Sequence, residues 1–348
     1  MKKPEVTTII TLPIAGIENP YQFLMMQGLR LAGYNVKHGV SGKFFGLLKT
    51  TLKYRPDYLH LDWLHSYYLR RETWMTWVQF PFFVLQIYII TNIFRIKLVW
   101  TLHNIFPHES PIHGPYKWAR RYFAANCQWI RVFDNSTIPR ASRALNVPKD
   151  KFRVVPEGSY VDYYPNNVTQ DEARHQLNLP LDKRIFLYLG LIKPYKGVLK
   201  LLEAFRESCL TNTILVIAGK SLDSQYFKLI QKSSEKSCVL IKEEFVSDHD
   251  LQYYFNASDI VALPFNKIEN SGSAILAMGF SKPIIAPRKG VLASRLSQQK
   301  QLLFEEGELT KIFYESSLLN CDQLKKIGEK NFEELKKYKW EDFANCFD

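Results

Sequence analysis

Short apolar runs alternate along the whole chain with segments of helical period. The runs read as strands: VTTIITL (6–12), YNVKHGV (34–40), YLHLD (58–62), KLVWTLH (97–103), WIRVFD (129–134) and FRVVP (152–156). A polar, proline-bearing connection, PEGSYVDYYPNNVTQDEARHQL, then interrupts the rhythm. A second series follows: RIFLYLG (184–190), TILVIAG (213–219), CVLIKEEF (238–245), DIVALPF (259–265) and KPIIAP (282–287). Helical stretches such as KGVLKLLEAFRES and DHDLQYYFNAS lie between these runs. Strands that are apolar throughout, separated by helices, predict parallel sheets covered on both faces. Two such series predict two doubly wound α/β domains, 1–157 and 158–337, with a C-terminal helix over about 338–348 packing back on the first. Ligands in such sheets bind outside the carboxyl ends of the strands, so the expected site is a central cleft that the two domains face.

Residues 73–94 depart from the pattern, with no charged side chain in 22 positions. Arg70, Arg71, Arg95 and Lys97 flank the stretch, and it is rich in aromatic residues. A membrane-spanning helix, a buried core helix and a helix at the membrane interface all fit that length. Thr76, Gln79 and Gln86 draw a thin polar stripe, and Pro81 interrupts a simple span. A strand lies on each side, so a crossover helix is expected here. Basic flanks and aromatics favour the interfacial reading.

Charge sharpens that picture. The chain carries a formal net charge of +12. Residues 1–160 hold 21 Lys and Arg against 9 Asp and Glu, so the whole excess lies in the first half. A basic half-molecule calls for an anionic partner. No nucleic-acid-reading motif is present, so an anionic membrane surface is the expected partner and nucleic acid is not. Five scattered cysteines without a CxxC pair fit a reducing compartment. The N-terminal MKKPEVTTIITLPIAG reads as a first strand running into a glycine loop, not as a signal peptide.

Two stretches of the second series carry candidate chemistry. In YLGLIKPYKG a strand ends at Gly190, and Lys193 and Lys196 stand before a helix that starts near Val198. Glycine permits close backbone approach, and a helix entrance favours an anion. In DIVALPFNKIENSGSAILAMGFSKPIIAP, Ser271, Gly272 and Ser273 open a second helix, with Ser271 as its N-cap. Glu269, just before it, suits sugar hydroxyls better than phosphate. Together the two stretches favour a nucleotide diphosphate-sugar. Solvated lysines and a plain capped helix are the simpler alternatives.

YLGLIKPYKGVLKLLEAF resembles the phosphate-binding turn of retaining GT-B glycosyltransferases of the large family 4 type (glycosyl transferases group 1). The stretch from Asp259 to Pro287 resembles that family's donor-sugar segment, FRVVPEGSYVDYYP its interdomain linker, and VWTLHNIFPHES its strand-end histidine segment. The resemblance implies a GT-B fold of two Rossmann-like domains. It implies that Lys193 and Lys196 contact the diphosphate, with Gly190, Ser271, Gly272 and Ser273 beside it, and that His103 meets the donor sugar. Glu269 matches the first glutamate of the family's E-x7-E pair, whereas the second falls at Ala277.

Asp62, at the end of YLHLD, is a candidate to orient the acceptor hydroxyl or to act as base, and Glu109 is a weaker one. Gly16, after the first strand, is a candidate for close approach of a ligand. His103, His108 and His113 do not have zinc spacing. DHD at 248–250 reads as a helix start, not as a metal motif, and GKS at 219–221 lacks the first glycine of a Walker loop. The expected protein is a metal-independent glycosyltransferase without a cofactor. Its donor is a UDP- or GDP-linked sugar and its acceptor is lipid-linked or another glycan. It is expected at the cytoplasmic face of a membrane, held peripherally. An inverting enzyme with Asp62 or Glu109 as base, and a non-catalytic sugar-nucleotide-binding scaffold, are the alternatives.

Overall fold

The computed structural model describes residues 6–16, 20–42, 44–70, 72–106, 114–234, 238–266 and 270–347. The candidates Glu109 and Glu269 lie outside them. The chain divides into two units, Met1–Gly158 with Tyr338–Asp348, and Ser159–Lys337.

The first unit runs β1 (Thr8–Leu12), α1 (Pro20–Leu31), β2 (Asn35–His38), α2 (Gly46–Tyr54), β3 (Tyr58–Leu61), α3 (Thr73–Tyr88), β4 (Lys97–Thr101), α4 (Gly114–Asn126), β5 (Cys127–Val132), α5 (Thr137–Leu145) and β6 (Phe152–Val154). Its sheet is parallel in the order β2-β1-β3-β4-β5-β6. All four residues of β3 are buried, as strands covered on both faces require. Leu59, Leu98 and Ile130 join Phe83 of α3 and Phe123 of α4 in one core. The chain order reverses between β1 and β3, so this is the unit's switch point.

Helix α3 is the crossover between β3 and β4. It runs through Pro81 without a break and continues as a π-helical turn, Ile89–Ile93. Its polar stripe faces inward: Thr76, Gln79 and Gln86 are buried beside Phe83 and Ile87. Trp74, Trp77, Val78, Phe82, Leu85 and Tyr88 face outward.

The second unit runs α6 (Gln170–Gln176), β7 (Arg184–Leu189), α7 (Val198–Glu207), β8 (Thr213–Ala218), α8 (Ser224–Ser234), β9 (Val239–Lys242), α9 (Leu251–Ala257), β10 (Ile260–Ala262), α10 (Gly272–Gly279), β11 (Ile284–Pro287), α11 (Gly290–Arg295), β12 (Leu303–Phe304), α12 (Leu309–Ser317) and α13 (Cys321–Leu335). Its parallel sheet has the order β12-β11-β10-β7-β8-β9. The sequence pattern does not reveal β12, which has only two residues. Order reverses between β7 and β10, the doubly wound arrangement whose switch point holds ligands.

The last residues, Trp340–Cys346, form a 3-10 turn on the first unit. Trp340 lies against α1 at Gly28, where a Cβ would come within 2.5 Å of the Trp340 backbone. Phe343 packs edge-on to His60.

Candidate functional site

In the second unit the turn after β7 and the loop after β10 flank the switch point and touch. Asn266 N–H donates to the Tyr195 carbonyl at 3.1 Å. Gly197 sits at φ +75°, and a Cβ there would lie 2.2 Å from the Pro264 carbonyl oxygen. Only glycine combines that backbone with that approach. At the other end of the turn, a Cβ on Gly190 would come 3.3 Å from Ser273 Oγ, so the first turn of α10 reaches the exit of β7. The Gly190 and Ser271–Ser273 stretches are thus brought together. Ser271 caps α10, its Oγ accepting from Ala274 N–H at 3.1 Å.

Lys193 stands at the entrance of a one-turn 3-10 helix, Pro194–Lys196. Lys196 Nζ lies 4.0 Å from the centroid of the Phe265 ring. Among the described residues it has no carboxylate partner. Burial pushes its ammonium down to about 8. Among the described residues, then, this cation is drawn out of water with an aromatic ring and no carboxylate beside it. The α7 entrance contributes less than the sequence suggests, because Leu199 N–H already donates to the Tyr226 hydroxyl at 3.3 Å. Positive charge therefore comes from the lysine and from α10, whose first-turn N–H groups have no intrahelical partner.

In the first unit, Asp62 follows β3 at the β1/β3 switch point. Its carboxylate is buried and accepts three side-chain hydrogen bonds. Tyr21 Oη donates to Oδ1 at 3.1 Å and Gln22 Nε2 to Oδ2 at 3.1 Å. His103 Nε2 lies 3.0 Å from Oδ1. Burial alone would raise the Asp62 carboxyl; His60 and the bonds from His103 and Gln22 outweigh it, and its pKa falls below the usual carboxylate value. The Asp62 side chain is wholly buried, and the group it holds at the edge of the network is His103. That ring stacks on Trp63, with centroids 4.9 Å apart and planes 12° from parallel, and its side chain keeps 15% exposure.

Arg131 extends the network: Nη1 donates to the Tyr21 hydroxyl at 2.9 Å, while Nε and Nη2 hold the Val155 and Pro156 carbonyls. His60, beneath, bridges the Thr11 and Thr101 hydroxyls, and burial pushes its pKa down to about 4. Gln22 also donates to the Pro13 carbonyl and accepts from Ala15 N–H, fixing the loop that carries Gly16. Gly16 itself lies open, with nothing within 4 Å of a built Cβ. Sequence reasoning missed Tyr21, Gln22, Trp63 and Arg131. Only the consecutive polar pair Tyr21 and Gln22, ahead of the apolar run Phe23–Met26 in α1, could have hinted at them. At Asp248–Asp250, Asp250 sits at the start of α9, but its carboxylate accepts from Ser247 Oγ and caps no helix N–H.

Two parallel sheets with these switch points define the class of GT-B folds. The sucrose-phosphate synthase of Thermosynechococcus elongatus superposes with a TM-score of 0.73 at 18% identity, covering 98% of this chain and 97% of that one. Anabaena HepE in complex with UDP and glucose gives 0.73 at 13% identity, covering 96% of each chain. Within that fold, residues 169–313 match the glycosyl transferases group 1 family, so the second unit carries a domain of that family.

Among curated relatives, a GDP-mannose:glycolipid 4-beta-D-mannosyltransferase of Xanthomonas campestris pv. campestris is 26% identical over 249 residues, 71% of this chain and 66% of that protein. A lipopolysaccharide 1,2-N-acetylglucosaminetransferase of Salmonella typhimurium is 27% identical over 207 residues, 56% of this chain and 49% of that protein. The matched parts thus span less than two thirds of these relatives' lengths.

Proposed function

We propose that the protein is a glycosyltransferase that moves a sugar from a nucleotide diphosphate donor to a lipid-linked glycan acceptor, as in the synthesis of bacterial-type surface polysaccharide. The observation that carries this reading is the junction of Gly190, Lys196 and Ser271–Ser273 at the β7/β10 switch point. There the desolvated Lys196, on the turn after β7, and the N-terminus of α10, which meets Gly190, stand beside the same switch point, and small residues allow close approach. Lys196 and Lys193 would neutralise the leaving diphosphate, without a metal. Glu269 would accept hydroxyls of the donor sugar. Ala277, fully buried in α10, offers the ribose nothing, so base and ribose are recognised elsewhere. The similar GDP-mannose:glycolipid mannosyltransferase, the lipopolysaccharide N-acetylglucosaminetransferase and the UDP complex of HepE support GDP- or UDP-linked donors and glycolipid or lipopolysaccharide acceptors. The first unit would hold the acceptor, and its basic excess would attach the protein peripherally to the cytoplasmic face of a membrane.

By family resemblance the anomeric configuration is retained, with His103 beside the donor. One observation favours a second reading. The Asp62–His103 pair is built as an oriented general base: the buried carboxylate holds Nε2 and leaves Nδ1 for an acceptor hydroxyl. Such a base belongs to an inverting transfer.

The test is turnover of UDP- and GDP-sugars with lipid-linked acceptors in the presence of EDTA, with the product anomer read by NMR. Metal-free transfer supports the proposal, and the anomer chooses between the two mechanisms. Nucleotide binding without transfer to any acceptor would point to a scaffold protein instead.

A further inference from the structure

Helix α3 is amphipathic the wrong way round for a helix on a water-facing surface. Its polar residues are spent on the unit's own backbone. Gln79 Nε2 donates to the Tyr67 carbonyl at 3.2 Å, and Gln86 Nε2 to the Phe44 carbonyl at 2.6 Å. Arg70 N–H donates to Thr76 Oγ1 at 3.0 Å, and Leu48 N–H to Gln86 Oε1 at 3.3 Å. The outward face is apolar: Trp74 is 63% exposed, and Trp77, Val78, Phe82, Leu85 and Tyr88 are exposed with it. Aromatic contacts widen the patch. Phe45, before α2, meets Phe82, and Trp118 of α4 meets Trp77. A patch of this kind marks an interaction surface.

We infer that the outward face of α3 inserts into the interfacial zone of a bilayer containing anionic lipid. This rests on the membrane-held acceptor proposed above and names the surface that meets the membrane. Thr73–Ile93 is long and apolar enough to cross a membrane. Crossing would remove the β3–β4 crossover and strand the backbone groups that Gln79 and Gln86 satisfy. Shallow insertion keeps both.

Charge selects lipid over a second copy of the chain. Between 63 and 106 the single acid is Glu72. Exposed Lys49 and Lys53 lie on α2, which packs beside α3, and exposed Arg95 follows the π turn. A second copy would set like charges against each other, whereas anionic headgroups complement them. Tryptophan and tyrosine at the rim suit the headgroup level.

The experiment is co-sedimentation with vesicles of phosphatidylcholine alone and of phosphatidylcholine with phosphatidylglycerol. It is run on the full chain and on a triple variant, Trp74→Ser, Trp77→Ser and Leu85→Ser. The wild type should bind the anionic vesicles, with partial release by salt. The triple variant should bind at least ~tenfold more weakly, since association scales with buried apolar area. Quenching of wild-type tryptophan by brominated lipid should report shallow depth and does not depend on the variant folding.

Unchanged vesicle binding in the variant would overturn the inference. So would absence of wild-type binding, or a concentration-dependent dimer that the substitutions abolish. Nucleotide binding is measured on the same preparations. Its absence beside intact vesicle binding would strike the glycosyltransferase reading and leave this one standing.

Discussion

Lys196 gives up water for a place beside the Phe265 ring, and its lowered pKa makes the site sensitive to pH. On the proposed function, the protonated form binds a diphosphate. Affinity should be full below about 8 and fall as pH rises through that value, by up to ~tenfold per unit, because the bound anion restores the proton that the free lysine has lost. Titrations of nucleoside diphosphate at several pH values check this, and Lys196→Met should flatten the profile.

Asp62→Asn makes a second prediction. The amide leaves the shape intact but cannot hold His103 as a carboxylate does. Turnover should drop by ~100-fold or more while donor binding changes little. A fall confined to donor affinity would contradict the orienting role. The places of Lys193, Lys196 and Asp62 after strand ends were legible in the sequence because each follows an apolar run. The enclosure of Asp62 was not legible, since Tyr21 and Gln22 reach it from α1 while Arg131 of β5 holds Tyr21, and nothing in their spacing announces it.

At the scale of elements, the turn after β7 depends on one glycine. Gly197→Ala would meet the Pro264 carbonyl and force an unfavourable φ. The expected loss is on the order of 2 kcal/mol or more of stability, with weaker nucleotide binding, both readable by denaturant titration with and without GDP or UDP. Most strands were visible as apolar runs, and the Ser271 cap as a serine before an apolar helix. The orientation of α3 was not. Thr76, Gln79 and Gln86 recur at helical spacing and fix a face, but periodicity alone does not say whether a polar face points out to water or in to unpaired backbone. Here Tyr67, Phe44, Leu48 and Arg70 supply the backbone groups that draw it inward.

At the scale of the whole molecule, alternating strands and helices were enough to predict two parallel α/β units. Strand order was not readable, since the reversals between β1 and β3 and between β7 and β10 are choices of side, not of composition. The first unit is discontinuous and needs the chain's return over 338–348. Trp340 and Phe343 cover Tyr21, Gly28, His60 and Arg131. A protein ending at residue 158 should therefore expose that surface and aggregate. A fusion that restores 338–348 through a flexible linker should fold cooperatively in circular-dichroism melts.

The central claim is that a nucleotide diphosphate sits at the β7/β10 switch point with Lys196 against its phosphates. Calorimetric titration of UDP and GDP without metal, on the wild type and on Lys196→Met, tests it most directly. One of them should bind, and the variant should bind it at least ~tenfold more weakly, as loss of a charged hydrogen bond requires. The variant's melting temperature should be unchanged or raised, because a buried ammonium with no carboxylate partner among the described residues is gone. Failure of both nucleotides to bind the wild type, or equal binding to the variant, would contradict it.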